Sequence, residues 1–207
     1  MEVKDAADSA ADSVAAIAAI AAAVTADAAI VRCDWCGDDP LYQRYHDEEW
    51  GVPQRDGDAL FEKLCLEGLQ CGLSWLTILR RRENLRAAFD GFDPRRLAHW
   101  TDRDRLDVLD RPGVIRHRGK IDAICGNARV MTDAFEDADR FAAFVWSFAP
   151  DAGSDRPRAR CTADLDTETP ESRRLARALR RLGFRFVGPV TAHAFMQAMG
   201  LVDDHQV

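Results

Sequence analysis

The chain has no long apolar run. Its longest, Val14 to Val24, is eleven residues, and a bilayer needs about 20. The segment ahead of that run holds Glu2, Asp5, Asp8 and Asp12, the wrong charge for a secretory signal. A cytoplasmic protein with no membrane partner is expected. Cysteine is scarce too: six in 207 residues are too few for a disulfide scaffold. Cys65, Cys71 and Cys125 have apolar neighbours and are expected to be buried thiols. Excess positive charge is also missing. Lys and Arg number 28 against 35 Asp and Glu, a net of −7, which argues against a histone-like coat for nucleic acid. The deficit is uneven. Residues 1–31 carry −4 and the remaining 176 only −3, so a local basic face can still meet DNA. No stretch alternates with period two, and no internal repeat is visible.

What is present divides at Val31. Residues 1–31 are Ala-rich and low in complexity, with Val14, Ile17, Ile20 and Val24 three to four apart. They are expected to be a frayed helical or disordered extension without function, or to precede the true start of translation. From residue 32 onward a single domain is expected, to 207. Apolar types make up 47% of the chain, enough for a packed core. Trp35, Tyr42, Tyr45 and Trp50 crowd a segment that shows neither helical nor strand period, expected to be irregular and pinned by a metal or a pocket. Beyond Pro53 the period is helical. Asp58 is a candidate cap for a helix carrying Leu60, Phe61, Leu64 and Cys65; Gly68 and Gly72 are expected to interrupt; Ser74 can cap the next helix. Further helices are expected near 82–90, 103–109, 118–131, 138–148, 171–182 and 190–200. The fold class is therefore all-α, many short helices.

Three constellations can carry chemistry. Gly113, Arg116, His117, Arg118, Gly119 and Lys120 lie between one helix and the next. Glycines allow close backbone approach, and a helix start offers free N–H groups, so this run suits a DNA phosphate. The plain alternative is a solvated turn. Glu67 ends an apolar stretch ahead of Trp75, with Tyr45 and Trp50 from the aromatic segment. A carboxylate ringed by aromatics suits a flat cationic heterocycle; the commoner alternative is an exposed helix-end Glu. Cys33, Cys36, His46 and His205 form a zinc-ligand inventory, although their spacing is not that of a finger. A surface CxxC with two solvated histidines is the alternative.

The segments Asp39-Pro40-Leu41-Tyr42, Tyr45-His46-Asp47-Glu48-Glu49-Trp50-Gly51-Val52-Pro53, Leu66-Glu67-Gly68, Gly72-Leu73-Ser74-Trp75, Ile115-Arg116-His117-Arg118-Gly119-Lys120-Ile121, Phe144-Val145-Trp146-Ser147-Phe148 and Phe195-Met196-Gln197-Ala198 resemble the DNA-3-methyladenine glycosylase I (Tag) family. The resemblance runs from about 32 to 207 in one register. It implies a helix–hairpin–helix fold and a monomer that hydrolyses the N-glycosidic bond of N3-methyladenine in double-stranded DNA, leaving an abasic site. It further implies Glu67 as the base-binding carboxylate, Trp75 as the stacking residue, and Tyr45 and Trp50 as pocket aromatics. The family's structural zinc ligands fall on Cys33, His46 and His205, a metal that would clip the two ends of the domain together. Its fourth ligand, a cysteine four residues past the last histidine, falls beyond Val207. A longer chain, Cys36 or water would have to fill that place. Pro189, Val190 and His193 depart from the family pattern and are expected at the pocket edge, His193 as a packed helix residue.

Two alternatives remain at this point. A bifunctional glycosylase/lyase would use Lys120 as Schiff-base nucleophile, with Asp137 or Asp139 downstream. A non-catalytic zinc-stabilised DNA-binding module would keep the hairpin and the metal ligands but would not need Glu67 beside Trp75.

Overall fold

Capping residues decide where the helices begin. Asp39 accepts the N–H groups of Leu41 and Tyr42 ahead of Pro40, which starts α1, Pro40–Glu48. Asp56 accepts from Ala59 and starts α2, Gly57–Gln70. Ser74 accepts from Thr77 and starts α3, Trp75–Leu79. The short helices α4 (Arg82–Ala88), α5 (Pro94–Leu97) and α6 (Asp102–Asp107) follow. His117 caps the long α7, Arg118–Ala134, by accepting the Lys120 N–H on its ring nitrogen. Asp137 caps α8, Ala138–Trp146, and a Thr169–Ser172 capping box with Pro170 opens α9, Pro170–Leu182. The last helix is α10, Pro189–Ala198. The computed structural model describes residues 31–151 and 158–207. Among these the fold is all-helical, as the missing strand period implies, and no strand occurs. No helix among them is long and apolar enough to cross a membrane. The extension expected at 1–31 lies, apart from Val31, outside the described residues. Arg32–Val207 packs as one unit.

Several expectations need correction. The aromatic segment is not irregular throughout, because α1 occupies its middle. Leu41, Tyr42, Tyr45 and His46 do fall on one face at helical spacing, but two phenols and an imidazole do not read as an apolar stripe. Helix α2 is capped by Asp56 rather than Asp58. Gly68 does not interrupt it: the glycine is helical and sits against Phe186, whose Cβ an added methyl would meet at 3.4 Å. Cys65 and Cys125 are buried as expected, whereas Cys71, just past the end of α2, is exposed.

Helix α2 is the axis of the domain. It contacts α3, α7, α8 and α10, and it is buried on every side: Leu60, Phe61, Lys63, Leu64, Cys65, Leu66, Glu67 and Leu69 are all buried. A helix covered all round is normally apolar all round; this one carries a lysine and a glutamate into the core. Gly57 lets α2 meet α8 closely, since a Cβ there would lie 2.0 Å from the Ala138 carbonyl oxygen. Phe61, Phe89, Phe92, Phe141 and Phe195 fill the core, each contributing roughly 1.5–3 kcal/mol by burial. Pairs α5–α7 and α9–α10 complete the packing.

Candidate active site

Lys63 and Glu67 are one helical turn apart on α2, so their side chains meet. Nζ of Lys63 lies 2.8 Å from Oε1 of Glu67, and both residues are buried. The same ammonium donates to the Tyr45 hydroxyl at 2.9 Å and stands 3.2 Å from the centre of the Trp75 ring. Ser74 sets the start of α3 so that Trp75, its first residue, faces α1 and α2. The Trp75 and Tyr45 rings are 5.4 Å apart, and Trp35 packs edge-on to Trp50 at 5.1 Å.

These side chains surround a cavity of about 160 Å³. Its lining includes Trp35, Tyr42, Tyr45, Trp50, Glu67 and Trp75, together with Gln70, Ala194 and Gln197. Drug-sized ligands fill roughly 300–1,000 Å³, so this volume suits a single heterocycle rather than a whole nucleotide. The phenols stay neutral. Burial, then the Glu67 charge, pushes Tyr45 well above its ordinary value. Burial pushes Tyr42 up to about 12, with the Cys36 and Glu67 charges adding to it. Burial pulls Lys63 down while the Glu67 charge and hydrogen bond work against it. The cavity thus presents aromatic faces and one carboxylate, with a cation behind that carboxylate.

Glu67, Trp75, Tyr45 and Trp50, drawn from separate segments between residues 45 and 75, all line this one cavity. Pro189, Val190 and His193 do not line it. Pro189 starts α10, Val190 is exposed, and His193 is buried in the core, the packed residue it was expected to be. Lys63 was not anticipated. A Lys–Glu pair four apart, with Leu64, Cys65 and Leu66 between them, was the available signal.

The glycine-and-arginine run divides. Gly113 takes φ +78°, and a Cβ there would strike Asn84 at 2.7 Å, so glycine is required twice over. Arg116 is exposed at the turn between α6 and α7, and Arg118, also exposed, and Gly119 lie in the first turn of α7. Gly113, Ile115 and Arg116 line a groove of about 440 Å³ together with Leu73, Thr77 and Arg81. Lys120 is a correction. It is buried, and its ammonium donates to the carbonyls of Leu69 and Cys71 at 2.8 and 2.6 Å. It closes the C-terminal end of α2 and does not face the groove, because its position on α7 points inward at the core.

Cys33, His46 and His205 do converge. The Cys33 backbone N–H donates to Nε2 of His46 at 3.2 Å, and the His46 and His205 rings meet edge-on at 5.3 Å. Their donor atoms already have partners, however. Cys33 Sγ accepts from the Gln206 N–H, Nδ1 of His46 pairs with Asp47, and Nδ1 of His205 pairs with Asp203. Among the described residues no group of three or more His, Cys, Asp or Glu is placed to share a metal ion. Here the ends of the domain are joined by Gln206, which accepts the Asp34 N–H and donates to its carboxylate, at 2.7 and 2.9 Å.

Comparison with known proteins agrees with this geometry. Residues 35–207 match the family model for methyladenine glycosylase. The chain is 47% identical over 181 residues to DNA-3-methyladenine glycosylase 1 of Escherichia coli, covering 86% of this chain and 95% of that protein. It is 45% identical over 178 residues to DNA-3-methyladenine glycosylase of Haemophilus influenzae, covering 84% and 94%. A crystal structure of 3-methyladenine DNA glycosylase I superposes with a TM-score of 0.80 at 50% identity, covering 86% of this chain and 97% of that one. The Staphylococcus aureus enzyme, solved to explain its recognition of 3-methyladenine, gives 0.79 at 35% identity, covering 84% and 93%. A match across nearly the whole described domain, at this identity and on the same all-helical fold, means that the chain belongs to the methyladenine glycosylase family.

Proposed function

We infer that this protein is a monofunctional DNA-3-methyladenine glycosylase of base excision repair. It hydrolyses the N-glycosidic bond of N3-methyladenine in alkylated double-stranded DNA and leaves an abasic site. The observation that carries the reading is a buried carboxylate, Glu67, in an aromatic cavity sized for one base. We take the active form to be a monomer.

Methylation at N3 makes the adenine cationic and a good leaving group. The nucleotide is turned out of the duplex into the cavity. Trp75 and Tyr45 offer faces for stacking, and the cation gains from π density. Oε1 of Glu67 is held by Lys63, which leaves Oε2 to accept an N–H of the base. The glycosidic electron pair leaves with the base, which departs neutral. Water adds its oxygen to the sugar C1′ and releases a proton to solvent. Duplex DNA is bound by the groove beside the helix–turn–helix of α6 and α7, which we read as the hairpin element. Helix α3 links the two sites, since Thr77 lines the groove and Trp75 the cavity.

The lyase alternative loses its nucleophile, because Lys120 is buried against two carbonyls and outside the cavity. The non-catalytic module has no use for the Glu67 cavity. Base release from methylated duplex separates it from the enzyme: release is expected from the wild type. Glu67→Gln should slow it by roughly ten- to a hundredfold, since a charge-assisted hydrogen bond contributes about 1.5–3 kcal/mol. No release by the wild type, or full release by Glu67→Gln, would overturn the assignment.

We also propose that Cys33, His46 and His205 bind zinc. Their convergence supports this, as does the affinity of thiolate and imidazole for that metal. The role is structural, as hydrolysis of an already cationic base needs no Lewis acid. Three donors fall short of a closed site, so zinc at or below one equivalent is expected in purified protein. Chelation should lower Tm before it slows excision. Zinc-free protein of full stability and activity would refute the site.

A further inference from the structure

Lys63 lies in the middle of the most enclosed helix of the domain. Burying an ammonium is costly unless its protons are all used, and a hydrocarbon side chain at this position would avoid the cost. The ammonium has three acceptors for its three protons: Glu67 Oε1 at 2.8 Å, the Tyr45 hydroxyl at 2.9 Å, and the Trp75 ring at 3.2 Å. All three belong to the base cavity, yet Lys63 is not part of that cavity's lining. It lines a second cavity of about 120 Å³, with Glu49, Glu62, Arg82 and Arg86. Tyr45 and Trp75 line both cavities. They form the partition, and Lys63 stands behind it.

We propose that Lys63 is a positioning residue for base excision: Tyr45 and Trp75 hold its ammonium, and the ammonium holds Glu67. The chain of contacts has a direction. An aromatic face and a phenol oxygen fix where the cation sits, and the cation then fixes one carboxylate oxygen. The other oxygen is left aimed by the planarity of the carboxylate. Without Lys63 the carboxylate can turn about its side-chain torsions, and a small misplacement is enough to slow the chemical step. Lys63 does not touch DNA or base, so it should act on turnover and not on duplex affinity, which comes from phosphate contacts in the groove. This inference rests on the reading of Glu67 as the base-binding group.

The test is single-turnover excision from duplex containing 3-methyladenine by the wild type, Lys63→Met, Glu67→Gln and the double variant. Lys63→Met is expected to lower the rate by about tenfold or more while leaving affinity for undamaged duplex unchanged. If Lys63 works through Glu67, the double variant should be no slower than Glu67→Gln alone. A purely structural lysine would give losses that multiply. Multiplying losses, or a Lys63→Met rate equal to the wild type, would overturn the proposal. Lys63→Met leaves a buried carboxylate without its partner and can fail to fold. The comparison of the double variant with Glu67→Gln then decides: the double variant carries neither charge, and in Glu67→Gln the ammonium keeps the Tyr45 hydroxyl, the Trp75 ring and an amide oxygen as acceptors, with a cooperative thermal melt of each confirming that both are folded. Equal rates support positioning, and a further tenfold loss refutes it. A wild type that releases no base would instead sink the enzyme assignment itself.

Discussion

The aromatic cavity and the groove beside the α6–α7 turn both have positive charge at hand, and they handle it in opposite ways. At the cavity the charge is Lys63, buried and satisfied by three partners. At the groove it is Arg116, exposed at a turn. A buried ammonium whose N–H groups are already used has none to offer a phosphate, but it fixes the geometry of its neighbours. Exposed charge fixes little, yet it displaces counterions and supplies affinity. Lys120 shows that sequence position does not assign a residue to one class or the other. It sits among the groove's basic residues and behaves like Lys63, turned inward to the end of α2.

The largest test of this contrast is Lys120→Met. It would leave two carbonyls at the end of α2 without their donor. At about 1–3 kcal/mol for each unsatisfied buried group, a loss of roughly 2–6 kcal/mol is expected, read as a Tm drop of about 5 °C or more. The salt dependence of DNA binding should not move. A flattened salt slope at full stability would return Lys120 to the phosphate-binding set.

Arg116→Ala should do the reverse. Duplex affinity should fall for damaged and undamaged DNA alike, and the log–log salt slope should flatten by about one unit. Stability should be unchanged. An effect confined to the lesion would place Arg116 at the cavity instead.

The smallest effect concerns Glu49, at the edge of the second cavity. Burial alone would raise its pKa, but the hydrogen bonds and charge of Arg82 outweigh burial and hold it below the usual 4.5. A carboxyl depressed in the folded state adds stability above its unfolded value and loses it as pH falls through the folded one. Glu49→Gln should therefore lower Tm at pH 7 and have progressively less effect below about pH 4.5. A Tm difference that stays constant down to acid pH would show that the pair contributes through packing rather than charge.

How legible each region was follows from these contrasts. Most helices were visible because their apolar period and caps lie within ten or so residues of each other, as at Ser74 and Trp75. Helix α1 was hidden because its inward face is built of Tyr42, Tyr45 and His46 rather than hydrocarbon. Glu67, Trp75, Tyr45 and Trp50 could be named from family motifs, but nothing local shows that they share a cavity. Lys63 and Lys120 were missed or misplaced for one physical reason. A lysine's sequence context does not reveal whether its neighbours in space are water, a carboxylate or a helix's last carbonyls.

The amino-acid sequence alone determined the helical class, the break at Val31, most helix starts and the family, since these rest on short-range period, capping and matched motifs. Tertiary structure decided which charges are buried. It placed Lys63 beneath Glu67, turned Lys120 away from the groove, kept Pro189 and Val190 off the cavity, and gave the joining of the ends to Gln206 and Asp34. Burial and pairing are properties of several elements packed together, and the energy of a charge depends on that packing far more than on the residues beside it in the chain.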